Sequence, residues 1–240
     1  MHLKRLVIKM TKRKIILFIV EGVSDKIALS LGLSRLFDSS LVEFVIMHGD
    51  ITSDYDNTVG SIASIVGDKV KGFAGRQFKA VDFAEVVHII DTDGVFIPDD
   101  NVLYDKSADE VKYRTSNIFT KNVDKIRHRN EHKRAIISKM LGTSKVWRTI
   151  PYSVYYFSCN LEHVISRNAN MADEIKGDNA EKFEKKIANN VDGFKCFFVE
   201  SDFAVKGEYA DSWDFIKTGT NSLKRYSNFG LFLEKPKNKL

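Results

Sequence analysis

The stretch Val86-Val-His-Ile-Ile-Asp-Thr-Asp-Gly-Val95 decides how the chain is read. An apolar run delivers two carboxylates, Asp91 and Asp93, to its carboxyl end, and Gly94 turns the chain directly afterwards. A strand that is apolar on both faces belongs in a parallel sheet covered on both sides. Ligands of such open sheets collect just beyond the carboxyl ends of the strands. In an extended chain alternate side chains share a face, so Asp91 and Asp93 are expected to point the same way and grip one hard cation. A second apolar run, Ile15-Ile-Leu-Phe-Ile-Val20, ends in Glu21-Gly22, with Asp25 four residues after the glutamate. Two strands that end in acids, the first followed by a helix, read as one metal site.

Outward from these runs the chain alternates strand and helix. Residues 14–20 predict the first strand, and Ser24 is expected to cap a helix whose stripe is Ile27, Leu31 and the Leu33/Leu36/Phe37 group. Val42 to Met47 reads as a second strand running into the polar loop His48 to Asp54. Val59, Ile62, Ile65, Val66, Val70 and Phe73 recur at helical spacing, and residues 86–90 form the third strand. This βαβαβ order favours an α/β fold with a parallel sheet and right-handed crossovers. After Pro98 the chain turns polar, and residues 99–120 read as a loop or hairpin insertion. Lys121 to Leu141 is expected to be a helix, Tyr152 to Phe157 a strand, and Asn160 to Ile165 the start of another helix. Residues 172–190 read as a charged helix or linker and Phe194 to Val199 as a last strand. Ser212 is expected to cap a final helix carrying Trp213, Phe215, Ile216 and Leu223. Met10 offers a second start, so residues 1–9 read as an extension. Residues 10–105 then form the core, 106–150 a basic helical insertion, and 151–240 the rest of the sheet and the C-terminal helices. No internal repeat or low-complexity tract is evident.

Composition sets outer limits. A chain of 240 residues can bury a sizeable core. No apolar run approaches the ~18–20 residues needed to span a bilayer. The basic amino terminus leads to only a short apolar stretch ending in Glu21, with no cleavage-site pattern, which argues against a signal peptide. Cys159 and Cys196 are far apart and form no metal-type pair, so a reduced, cytoplasmic setting fits best. A net charge of +5 leans mildly towards polyanionic partners.

Charge is segregated along the chain. Between Val81 and Glu110 nine acids face Lys106 alone, whereas between Lys121 and Arg148 nine Lys or Arg face Asp124 and Glu131. The plain reading of the basic stretch is a solvated helix. Beside a carboxylate-rich site it gains a second one, in which Lys125, Arg127, Arg129, Lys133 and Arg134 neutralise the phosphates of a nucleic acid. Tyr152, Tyr155, Tyr156 and Phe157 suit base stacking but fit a core strand better.

Ile19-Val-Glu-Gly-Val-Ser-Asp25 at a strand–helix junction, followed by Ile89-Ile-Asp-Thr-Asp-Gly94 at a later strand end, resembles the TOPRIM domain of topoisomerases, bacterial primases, ribosomal RNA maturases and the OLD (overcoming lysogenization defect) nucleases. The Glu-Gly-X-Ser-Asp form is most similar to the OLD-type branch, and the resemblance covers residues 12–100. It implies a further glutamate after another strand, for which Tyr156-Phe-Ser-Cys-Asn-Leu-Glu-His-Val164 offers Glu162. It also implies a late lysine, Lys217 or Lys224, which no motif separates. OLD proteins carry an ATPase, and this sequence has no Gly-X-X-X-X-Gly-Lys-Ser/Thr phosphate loop. A motor or sensor is therefore expected to be a separate protein, and a homodimer stays open.

Oxygen-only ligands suit Mg²⁺ or Mn²⁺, and two such ions can drive phosphodiester hydrolysis. The expectation is a metal-dependent nuclease acting on DNA or RNA, with anti-phage defence as its setting. Glu21, Asp91 and Asp93 would hold two ions, Asp25 and Glu162 would complete the shell, and Glu21 would double as general acid/base. Each motif has a plainer reading. Asp25 also suits a helix dipole, Asp50, Asp54 and Asp56 suit Asx-type turns, with one of them facing the metals as the alternative, and His88 suits a satisfied core histidine. His48 is left open. Two other functions compete: a haloacid-dehalogenase-type phosphatase, whose first motif Asp91-Thr-Asp93 also matches, and a non-catalytic nucleic-acid-binding TOPRIM subunit.

Overall fold

Ile15–Val20 (β1) is buried at all six positions, which only a central strand covered on both faces allows. The structure is a computed structural model that describes residues 14–37, 41–47, 49–187 and 190–236; His48 and the expected 1–9 extension lie outside them. In chain order β1 is followed by α1 (Val23–Leu36), β2 (Val42–Ile46), α2 (Ile62–Ala74) and β3 (Phe83–Asp91). Next come β4 (Val102–Tyr104), β5 (Lys112–Tyr113), β6 (Ile118–Thr120), α3 (Val123–Leu141), β7 (Lys145–Val146) and β8 (Ile150–Phe157). Five helices close the described chain: α4 (Leu161–Ser166), α5 (Asp173–Ile187), α6 (Val191–Val199), α7 (Tyr209–Lys217) and α8 (Phe229–Leu233).

The main sheet has the order β2-β1-β3-β8-β7. Its first four strands run parallel, and only β7 is antiparallel to its neighbour. Alternation along the strands sends Leu17, Ile19, Val86, Ile90, Val154 and Tyr156 to one face, where Val66, Val70, Ile136, Ile137, Met140 and Trp213 from α2, α3 and α7 cover them. Phe18, Val20, Val87, Ile89, Tyr155 and Phe157 go to the other, under the aliphatic face of α1, α5 and the phenylalanine-rich α6 and α8. The fold is thus α/β, a mostly parallel sheet between helical layers. Among the described residues no helix is long and apolar enough to cross a membrane.

Four sequence expectations are corrected. Residues 99–120 are not a simple loop or hairpin: β4, β6 and β5 make a small sheet in that order. Phe194 to Val199 is helix, not strand. Asn190 accepts the Gly193 N–H at 2.8 Å and caps α6, and Phe194 and Phe198, four residues apart, share its buried face. The cap of α1 is Gly22, whose N–H is taken by the Asp25 carboxylate at 2.8 Å, so Ser24 is already inside the helix. Ser212 likewise lies within α7, which Glu208 precedes, and α8 follows it.

Candidate active site

Four parallel strands each place an acid just beyond their carboxyl ends: Glu21 after β1, Asp50 after β2, Asp91 and Asp93 at the end of β3, and Glu162 in the first turn of α4 after β8. The strands are held level by their register, with Ile19 opposite His88 and Asp91 opposite Phe157. Pairing of β3 with β8 continues past the strand, because Thr92 and Asp93 donate to the carbonyls of Phe157 and Cys159 at 3.0 and 2.9 Å. Asn160 accepts the His163 N–H at 2.9 Å, which caps α4 and fixes the turn carrying Glu162. Glu21 reaches across to Asp91, its Oε1 accepting the Asp91 N–H at 3.1 Å.

Glu21, Asp25, Asp50, Asp91 and Glu162 line one cleft of about 510 Å³, with Lys176 at its rim. The structure thus brings four of the five expected metal ligands into one cleft, and Asp93 borders it. Burial and mutual repulsion dominate their electrostatics. Burial, then Asp50, Asp93 and Asp25, raise the Glu21 pKa well above the ordinary value against the opposing charge of Lys133. Burial, Glu21, Asp25, Asp93 and Glu162 do the same to Asp91. Asp25 rises from 3.8 to about 7, through burial and Glu162, although the Gly22 N–H favours its ionised form. Glu162 is raised by burial. Among the described residues no three His, Cys, Asp or Glu side chains stand close enough together to enclose an ion in their present rotamers. The donor chemistry nonetheless suits a hard cation: every donor is a carboxylate oxygen, and a cation would relieve the repulsion that now favours protonation.

Asp93 departs from the expectation that it shares a face with Asp91. Its φ of +46° is left-handed, so alternation stops at Thr92 and its carboxylate turns to Lys133, 2.6 Å away. Lys133 was expected among the surface contacts to a polyanion, yet it is 0% exposed. Its Nζ bridges Asp93 and Asp50, each at 2.6 Å. Burial opposes the Lys133 charge, but Asp50, Asp93 and Glu21 hold it protonated well above its ordinary range. Burial likewise opposes ionisation of Asp50, but Lys133, Ser53 and Thr52 keep its carboxyl well below the ordinary value. Arg129 is also drawn inward, donating to the Asp93 carbonyl at 2.9 Å and to the Tyr113 hydroxyl at 3.1 Å. Sequence offers Asp50 only as one of three loop aspartates that could face the metals, and it misses Tyr113 and the inward role of Lys133.

The remaining cations stay near the surface. Lys125 is exposed, Arg127 donates to the Asp99 carbonyl at 3.1 Å, and Arg134 donates to the Val95 carbonyl at 3.2 Å. Lys217 pairs with Asp214. Lys224 lies in a separate cleft with His163, Arg167 and Arg225, and its carbonyl accepts the Ser158 hydroxyl next to the Glu162 loop. His88 is buried, with Nδ1 2.8 Å from the Tyr152 hydroxyl, and burial lowers its pKa to about 3, so it is a neutral core residue. Asp50 accepts the Thr52 N–H at 2.8 Å and Asp54 the Asp56 N–H at 3.0 Å, as Asx turns do. Comparison of the chain with protein families, curated proteins and solved structures finds no match.

Proposed function

We propose that this chain is a TOPRIM-type nuclease of the OLD-like branch that hydrolyses phosphodiester bonds of DNA or RNA with Mg²⁺ or Mn²⁺. The observation that carries the reading is the convergence of Glu21, Asp25, Asp91 and Glu162, from three strand ends, in one cleft. Lys133 answers Asp50 and Asp93, but the crowded Glu21, Asp25, Asp91 and Glu162, opposed in part by Lys133 and Lys176, are costly to ionise without a further cation. When bound, such an ion would polarise the scissile phosphate and lower the pKa of water; Glu21, Asp25, Asp91 and Glu162 would hold it.

The chain's own groups supply the proton handling. A carboxyl whose pKa is raised above its ordinary value by burial and neighbouring acids holds a proton more readily and can return it. Glu21 is placed for this, because it lines the cleft and its Oε1 is fixed on the Asp91 N–H. Asp93, Lys133 and Asp50 form a rigid wall beside it. Lys224 suits the late lysine better than Lys217, because its segment packs on the loop leading to Glu162. Lys125, Arg127 and Arg134 suit phosphates of the polymer outside the cleft. An anti-phage setting and a separate ATPase or sensor fit this reading.

The test is incubation with plasmid, single-stranded DNA, transfer RNA and ribosomal RNA, each with Mg²⁺, Mn²⁺ or chelator. Cleavage is expected with metal only, and to disappear in Glu21→Gln and Asp91→Asn variants that fold normally. Undiminished cleavage in both variants would sink the assignment. Hydrolysis of an aryl phosphate monoester, with nucleic acids left intact, would instead support the phosphatase. Binding without cleavage under every metal would support the non-catalytic subunit.

A further inference from the structure

The acid cluster is not uniform. On one side, Asp50 and Asp93 have their carboxylates engaged by the protein. Lys133 Nζ takes Asp50 Oδ2 and Asp93 Oδ2, both at 2.6 Å. The other oxygen of Asp50 accepts the Thr52 N–H at 2.8 Å and the Thr52 hydroxyl, and the other oxygen of Asp93 lies 3.4 Å from the Tyr113 hydroxyl. Lys133 reaches this position because it sits on the buried stripe of α3 with Ile126, Asn130, Ile137 and Met140. On the other side stand Asp91, Asp25, Glu162 and Glu21, with no ammonium of the described residues paired with them. The lysine at that rim, Lys176, is paired instead with Asp173 at 2.7 Å.

We propose that Lys133 takes the place of a second cation, so that the cleft binds a single divalent ion, on the side formed by Glu21, Asp25, Asp91 and Glu162. This rests on the metal-dependent reading above and replaces the pair of ions expected from sequence. An ammonium fixed between two aspartates supplies one positive charge in a permanent place. Two aspartates whose oxygens already have donors have little capacity to ligate a further ion, and a divalent ion beside Lys133 would meet like-charge repulsion. Asp93 thereby becomes a positioning residue rather than a ligand.

The test is a titration of the full chain with Mn²⁺ at neutral pH, followed by calorimetry and by the electron paramagnetic resonance of the bound ion. The expected result is one Mn²⁺ per chain with the spectrum of an isolated ion. Two ions per chain with a coupled Mn–Mn spectrum would overturn the inference and leave the nuclease reading standing, whereas no binding at all would remove the metal-dependent reading itself. Two variants sharpen the assignment of sides. Asp25→Asn is expected to weaken the ion roughly tenfold or more. Asp50→Asn, which keeps Lys133 paired with Asp93, is expected to retain one ion within about a factor of two, well short of the tenfold loss of a site partner. Loss of binding in Asp50→Asn would count against the proposal. Lys133→Met, if its circular dichroism shows it folded, should bind a second Mn²⁺; a folded variant that still binds one would also overturn it. Should that variant not fold, the stoichiometry of the unaltered chain decides alone.

Discussion

The two ends of β3 bury polar groups to opposite effect. Near its amino end Glu85 is only 8% exposed, yet it accepts the Ser153 hydroxyl at 2.5 Å and the Lys235 ammonium at 2.7 Å. In the middle His88 meets the Tyr152 hydroxyl at 2.8 Å through Nδ1, while its Nε2 has no partner among the described residues. At the carboxyl end Asp91 meets Glu21, Asp25, Asp93 and Glu162, and each of them pushes its pKa up. Burial of a polar side chain along a strand is therefore not by itself a mark of function, since most such groups are simply satisfied. What distinguishes the carboxyl end is unrelieved like charge in a cleft, the pattern expected where stability is given up for chemistry.

The sharpest way to break this contrast is Asp91→Asn. If Asp91 is a site residue held against repulsion, the variant should lose cleavage by roughly 10³-fold, about 4 kcal/mol of barrier, while its melting temperature rises. Loss of both activity and stability would place Asp91 with Glu85 among the structural acids. The next effect is on pH dependence. Asp25 binds its proton up to about 7 in the fold against 3.8 ordinarily, and Glu21 and Asp91 are raised in the same direction. Between about pH 4 and 7 the folded state thus holds protons that the unfolded chain has lost, and the stability these groups contribute at low pH disappears as pH rises. The slope is on the order of 1 kcal/mol per pH unit from each group. His88, with its pKa lowered to about 3, and His163, lowered in the same direction, work the other way, but they are two groups against Glu21, Asp25, Asp91 and Glu162. Denaturant unfolding should therefore show stability falling from about pH 4 to 7, and added Mn²⁺ should restore most of it near pH 8 while doing little near pH 5. A flat profile without metal would mean that the acids are not crowded in solution.

Much of this site was legible because strand ends are legible. Apolar runs that stop at Glu21 and at Asp91 gave both the parallel sheet and the meeting of the two acids, and the same rule would have added Asp50, which follows the run Val42–Met47. Sequence does not single it out from Asp54 and Asp56 because Asx-turn chemistry explains an aspartate before Thr52 equally well, and Asp50 does both jobs. Lys133 also carried a signal, since it falls in register with Ile126, Ile137 and Met140 on α3. A run of nine cations masked it, because net charge says nothing about which face a given lysine takes. The orientation of Asp93 was beyond reach: alternation assumes an extended chain, whereas Asp93 and Gly94 both take positive φ. Phe194 to Val199 failed for a different reason. Aromatic composition favours strand, while the spacing of Phe194 and Phe198 and the cap at Asn190 favour helix, and local capping with tertiary packing won.

Gly94 probes what holds the carboxyl end in shape. Its φ is +66°, and a Cβ there would meet Leu223 Cδ2 at 2.4 Å and Ile118 Cδ1 at 3.3 Å. Gly94→Ala should cost about 2 kcal/mol of unfolding free energy and lower cleavage through a displaced Asp93, which makes it the reverse of Asp91→Asn in the sign of its stability change. A neutral Gly94→Ala would mean that the β3 turn yields easily and that the left-handed Asp93 is not enforced from behind.

The smallest effect is expected at the amino end. Lys235 is one-third exposed where it meets Glu85, and its ammonium also lies 5.3 Å from the Phe232 ring and 5.6 Å from the Tyr155 ring. Solvent screens such a pair, so its contribution is nearer to that of a surface bridge than of a buried one. Lys235→Met keeps most of the stem packed on the aromatic rings and leaves Glu85 its bond from Ser153. It should therefore cost about 1 kcal/mol and leave cleavage untouched, since Lys235 sits at the opposite end of the strands from Glu21. A change in cleavage in this variant, with stability unchanged, would show that the two ends of β3 are coupled rather than separate in purpose.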